Sequence, residues 1–265
     1  MRTFVAMLVL VGCAEAVDPD PSNTTGDLPI DTTGVWGPAA DDFRGVRVVQ
    51  LRPELADVGF AFNGTGIPVQ SGLPAPFATP FLPRTTDDIS VQLFRPVDGA
   101  QPELVHTTDP VTFQGPFSEV ITFGTAVEPL SLNLEIDPTP VAGKVPMRLI
   151  NGLTNMAYAG LSEAENSPGA PLVSAFYGQV SDVQTIDADV EQNWVLDING
   201  DGRADIAYAP FTLAAQDSAG NGQYVEVFLY PSGVLVPQTN IPVPVLLILP
   251  MTGADDLLIV PPLGG

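Results

Sequence analysis

The chain has 265 residues and is 45% hydrophobic, so it holds enough apolar material for real cores and is not a disordered chain as a whole. Its 31 acidic residues against 9 basic ones give a net charge of −22, with Lys144 the one lysine. This excludes nucleic-acid binding and docking on anionic lipid headgroups, which need clustered Lys and Arg. The 28 prolines and 25 glycines are spread along the chain and fit short strands joined by turns better than long helices.

Residues 1–12 read as an export signal. Arg2 precedes an apolar run from Phe4 to Val11, far shorter than the ~20 residues a membrane-spanning helix needs. The ending "LVGC" resembles a bacterial lipobox, where cleavage falls before the cysteine and the cysteine carries lipid. The resemblance implies lipidation at Cys13, with Ala14 pointing to the outer membrane or cell surface. Cleavage after Ala16, in the A-x-A site "AEA", is the competing reading and gives a secreted protein. With Cys13 the sole cysteine, no disulfide can form within the chain.

Residues 13–42 are predicted to be an acidic, flexible tether. From 14 to 42 they carry Glu15 and six aspartates, no base, and many Pro, Gly and Thr, so they cannot bury enough apolar surface to offset ordering. Trp36 is the anomaly in it.

From Phe43 the pattern has period two. Val58, Phe60 and Phe62 share a face, as do Ile89, Val91 and Leu93, and Leu130, Leu132, Leu134 and Ile136 alternate with Ser131, Asn133 and Glu135. Turn signals separate these runs, and the spacing predicts an all-β fold, a sandwich or small barrel. An internal repeat sets "VRVVQL" (46–51) against "VPMRLI" (145–150), each followed by a six-residue connection and another strand. It also sets "FSEVITFG" (117–124) against "YVEVFLYP" (224–231). The offsets are 99 and 107 residues. The domains expected are therefore 43–141 and 142–265.

"FRGVRVVQLRPELADVGFAFNG" and "AGKVPMRLINGLTNMAYAGLS" resemble the repeats of a bacterial cell-envelope domain of unknown function. Those repeats open on a V-R-V-V strand and carry an A-G-K-x-x-x-R entry, matched here by Ala142, Gly143, Lys144 and Arg148. The resemblance covers most of 43–162 and departs at "RPELAD" and "NGLTNM". It implies two Ig-like β-sandwich domains in tandem, exported, with no chemistry to carry over.

The strongest motif is "DINGDGRAD". Asp197, Asn199 and Asp201 place oxygens at relative positions 1, 3 and 5, Gly202 permits the sharp turn, Arg203 offers its carbonyl and Asp205 sits at position 9. This spacing suits calcium, a hard cation wanting six to eight oxygens. Position 12 is Tyr208, so the bidentate Glu of an EF-hand is missing, and Pro210 stops any trailing helix. The loop resembles the calcium loop of integrin-type propeller repeats, set between two strands; this chain has one copy, so a propeller is not supported. The spacing of Val183, Ile186, Val190 and Trp194, with Ser181 and Gln184 as a capping box, allows a short helix before it. Asp187, Asp189 and Glu191 are spare carboxylates. The bland reading is a solvated turn, since N-G and D-G make hairpins.

Catalytic signals are few. His106 is the one histidine, no G-x-S-x-G elbow occurs, and no acid pair is singled out by spacing. The expected function is non-catalytic: a surface-anchored lipoprotein, steadied by Ca2+, that binds or adheres to a protein or carbohydrate ligand. The alternatives are an envelope spacer and, further off, a glycoside hydrolase. Exposed apolar patches at "PFATPFLP" (76–83) and "VFLYP" (227–231) would favour binding.

Overall fold

The computed structural model describes residues 44–263 apart from 56, 65–69, 74, 85, 138, 140, 165–168, 217–222, 236–241 and 252–256. The signal segment 1–12, the tether 13–42 with Cys13 and Trp36, and the turn at 217–222 lie outside the described residues.

The described chain is all-β. Its first half holds β1 (Gly45–Gln50), β2 (Val58–Phe62), β3 (Gln70–Leu73), β4 (Phe77–Ala78), β5 (Leu82–Pro83) and β6 (Asp88–Ile89). It continues with β7 (Val91–Arg95), β8 (Glu103–Thr107), β9 (Val111–Thr112), β10 (Phe117–Gly124) and β11 (Pro129–Ile136). The second half holds β12 (Lys144–Ile150), β13 (Tyr158–Glu163), β14 (Val173–Phe176), β15 (Gln184–Asp187), β16 (Glu191–Gln192) and β17 (Trp194–Asp197). It ends with β18 (Ile206–Ala207), β19 (Phe211–Thr212), β20 (Val225–Leu235), β21 (Pro242–Pro250) and β22 (Leu258–Val260).

Four principal sheets result. In the first half an outer sheet runs β3-β2-β7-β8 and an inner one β11-β10-β1-β4, with β5 also on β1. In the second half the inner sheet runs β15-β12-β20-β21-β22 and the outer one β14-β13-β17-β18. Val46, Val48 and Val120 of the first inner sheet pack on Val58, Phe60, Val91 and Leu93 of its outer partner. Val145, Met147, Val227 and Ile248 of the second inner sheet pack on Leu161, Ala175, Trp194 and Leu196.

The opposite faces of the two inner sheets then pack on each other. Val49, Ile121 and Phe123 meet Ile150, Phe228, Leu247 and Leu249 in one apolar cluster. A smaller cluster of Phe117, Ile136, Tyr224 and Met251 flanks it. The inner strands are thus buried on both faces, and β1, β12 and β20 read as near-continuous apolar runs for that reason. Residues of alternating parity serve different layers: Val46 and Val48 face the first outer sheet, whereas Arg47 and Val49 face the second half.

The face assignments read from alternation hold at Val58, Phe60, Ile89, Val91 and Leu93, all in one core. The β11 face grades from Ile136, buried, to Leu130, exposed, because β11 is a sheet edge. The short helix allowed before the loop is absent. Val183 lies in a connection, Ile186 is in β15, and Ser181 caps no helix, since its hydroxyl accepts the N–H of Leu149 in β12.

The two halves share one hydrogen-bonded corner, and its register lies two residues off the match between the sequence runs. Gln50 Oε1 accepts the N–H of Arg52 and its amide donates to the carbonyl of Leu55 at 3.0 Å. Asn151 Oδ1 accepts the N–H of Leu153 and its amide donates to the carbonyl of Met156. Gln50 therefore matches Asn151, and Arg47 matches Arg148 rather than Pro146. A slip of two keeps every residue on its face, so alternation alone cannot detect it.

Candidate functional site

Residues 197–205 join β17 to β18, which pair antiparallel through Val195↔Ala207 and Leu196↔Ile206. Asp197, the last residue of β17, is 7% exposed. Its Oδ1 accepts the N–H groups of Asn199 (3.0 Å) and Gly200 (2.7 Å), and Oδ2 accepts that of Gly202 (2.8 Å). Asn199 Oδ1 takes the N–H of Asp201 at 2.8 Å, and Asp201 Oδ1 that of Arg203 at 2.9 Å. Asp205 closes the loop through the N–H of Ile198 at 2.9 Å. Gly200 and Gly202 both sit at φ +79°, a left-handed conformation that side chains with a Cβ resist, so the two glycines allow the coil.

Every side chain named for calcium except that of Arg203 is thus bound to loop N–H groups; Asp197 Oδ1 has both lone pairs taken, and the other carboxylate oxygens keep at least one. The donors are hard oxygens of the type calcium takes. The acidic side chains are nonetheless not gathered on one point. Among the described residues, no three His, Cys, Asp or Glu side chains form a group that could hold a metal. Tyr208, at the twelfth position, is buried and donates its hydroxyl to the carbonyl of Pro244 at 3.2 Å. Two of the spare carboxylates are engaged elsewhere. Asp187, in β15 on the other sheet of this sandwich, pairs with Lys144 at 2.6 Å, and Glu191 accepts from Asn193.

Beside the loop stands an aromatic pair. Tyr158 lies under Gly200, and its ring meets that of Phe176 edge-on with centroids 5.6 Å apart. Phe176 is 60% exposed, the one aromatic among the exposed large hydrophobic residues described. The patches proposed from sequence are not open. Phe77 belongs to the first core, Phe81 packs on Phe117 at 5.3 Å, and Phe228 and Leu229 are buried.

His106 is half-buried on β8. Burial, with the Arg52 charge adding to it, holds its imidazole below the usual range, and its Nε2 is buried without a partner.

A second constellation, at the junction of the two inner sheets, escaped the sequence reading. Arg47 Nε donates to Glu119 at 2.6 Å, its Nη2 to Glu226 at 3.2 Å, and its Nη1 to the Pro250 carbonyl at 3.0 Å. Arg148 gives two bonds to Glu226 Oε1, at 3.0 and 2.7 Å. Arg47 also lies over the Phe81 ring and Arg148 over Tyr224. The parallel registers set Arg47 opposite Glu119 and Arg148 opposite Glu226, one pair from each repeat. Both glutamates hold the third place in the matched segments "FSEVITFG" and "YVEVFLYP", and that coincidence was the available signal.

No protein-family model matches this sequence, and comparison with curated proteins found no significant match.

Proposed function

We propose that this protein is a surface-anchored, non-catalytic binding or adhesion module whose second sandwich is steadied by calcium at residues 197–205. The observation that carries the reading is the coil around Asp197, with Gly200 and Gly202 at positive φ and successive side-chain oxygens ordered by loop N–H groups. Asp197, Asn199, Asp201 and Asp205 would supply side-chain oxygens and Arg203 its carbonyl. The ion would draw the carboxylates together and neutralise them, fixing the ends of β17 and β18. Without the bidentate twelfth ligand, affinity belongs in the ~10⁻⁴ to 10⁻³ M range of extracellular modules. Exposed Phe176, edge-on to half-buried Tyr158 beside the loop, supports a binding role for a protein or carbohydrate ligand. The envelope location rests on the lipobox-like "LVGC" and on the resemblance to the V-R-V-V repeats.

One observation favours a second reading, an envelope spacer or assembly unit. Residues 76–83 and 227–231 supply core contacts instead of an open apolar face.

Calorimetric titration of the Cys13→Ser chain with calcium, with magnesium and Asp201→Ala as controls, tests the metal centre. Saturable calcium heats lost in the variant are expected. Absence of such heats, or their survival in Asp201→Ala, overturns the site. For the anchor, labelled palmitate should enter the protein in cells and fail to enter Cys13→Ser; equal labelling removes the lipoprotein reading.

A further inference from the structure

Glu119 is fully buried, and its carboxyl oxygens are treated very differently. Oε1 takes the Arg47 Nε–H at 2.6 Å. Oε2 is buried and meets no donor. The neighbouring carboxylate is Glu226, itself 0% exposed and another acceptor, which shares the Arg47 guanidinium with Glu119. Glu226 is the better supplied of the two, with two bonds from Arg148 and one from Arg47. Two carboxylates in contact and out of water cannot both stay ionised at low cost. A proton on Glu119 Oε2, donated to Glu226, relieves the repulsion and gives the orphan oxygen a partner.

We propose that Glu119 is held as a neutral carboxylic acid whose proton hydrogen-bonds to the Glu226 carboxylate, making the junction of the two sandwiches a proton-bridged clamp. The clamp is independent of calcium and lies away from the 197–205 loop. Its neighbours come from every element packed on it. Arg47 is on β1, Arg148 on β12, and Tyr224 stands just before β20, while the carbonyls of Pro250 on β21 and Glu135 on β11 accept from Arg47 and Arg148. Burial, opposed by Arg47 and reinforced by Glu226, raises the Glu119 carboxyl well above its usual range. Burial also opposes ionisation of Glu226, but the hydrogen bond from Glu119 and the two arginines carry it net below.

The sign follows from linkage. A carboxyl raised in the fold contributes stability that is complete below its unfolded value, near ~4.3, and is lost as pH rises through its folded value. Losing the proton sets two buried carboxylates against each other where β1 and β10 meet β12 and β20, so rising pH weakens this part of the contact while the apolar cluster persists.

Glu119→Gln tests this directly, because an amide keeps the shape, accepts from Arg47 and donates to Glu226 without a proton to lose. The melting midpoint of wild type should fall relative to Glu119→Gln by roughly 3–5 °C per pH unit between pH 5 and the folded value. A protonated-carboxyl stretch should appear in the infrared spectrum of wild type at pH 7 and vanish in Glu119→Gln. A midpoint difference level across pH, with the variant below wild type throughout, overturns the proposal by showing Glu119 ionised. If Glu119→Gln does not fold, the wild-type infrared band decides alone, and its absence at pH 7 refutes the clamp.

Discussion

Arg47 of the first repeat and Glu226 of the second lie 3.2 Å apart, with side chains 1% and 0% exposed. This ion pair crosses between the two inner sheets, and the apolar cluster around Phe123 and Phe228 continues the same contact. The sandwiches are therefore not independent beads. Each covers the inner sheet of the other, and separating them would expose Ile121, Phe123, Ile150 and Leu247 together with four buried charged or polar side chains.

Chemical denaturation should accordingly show one cooperative transition for both halves. Arg47→Ala should lower stability by about 3–5 kcal/mol, because it leaves Glu226 with Arg148 alone and Glu119 without its donor. In a Trp36→Phe background, tryptophan fluorescence follows Trp194 in the second half and far-ultraviolet dichroism follows all strands; the two curves should coincide with and without Arg47→Ala. Two resolved transitions in wild type would contradict the shared junction.

Gly124 ends β10 at φ +87°, and a Cβ there would stand 2.3 Å from the carbonyl oxygen of Glu128. The turn from Gly124 to Pro129 has no room for it. Gly124→Ala should destabilise by about 2 kcal/mol or more in urea denaturation, since backbone strain adds to a clash with backbone. A loss within ~0.5 kcal/mol would show that the turn adapts.

Tyr208 and Tyr224 are buried, and that burial raises both phenols above their usual range. A group raised in the fold contributes stability present below its unfolded value, near ~10, and lost above it. The melting midpoint should fall steeply beyond about pH 10, and the slope should lessen in Tyr208→Phe. Equal slopes in variant and wild type between pH 9 and 11 would show that Tyr208 ionises as freely folded as unfolded.

The outer layers were the legible part. Val58, Phe60, Val91 and Leu93 alternate with polar neighbours because one face is core and the other is not. The inner strands hid their arrangement, since burial on both faces erases alternation and leaves runs such as "VPMRLI" and "PVPVLLILP". The two-residue register error at Arg148 has the same origin. The turn at 197–205 between two strands was legible because its hydrogen bonding is local: Asp197 binds N–H groups two, three and five residues on. The junction was not, because Arg47 and Glu226 stand 179 residues apart and meet only through sheet packing. The near-helical spacing at 183–194 misled because short strands β15, β16 and β17 follow one another closely there.

Thermal melting of the Cys13→Ser chain in 10 mM calcium and then in excess chelator, with magnesium as control, tests the central claim most directly. At ten to a hundred times the dissociation constant, calcium should raise the midpoint by roughly 3–10 °C, and Asp201→Ala should abolish the rise. An unchanged midpoint in calcium would reduce residues 197–205 to a hydrogen-bonded turn between β17 and β18 and contradict the calcium-steadied module.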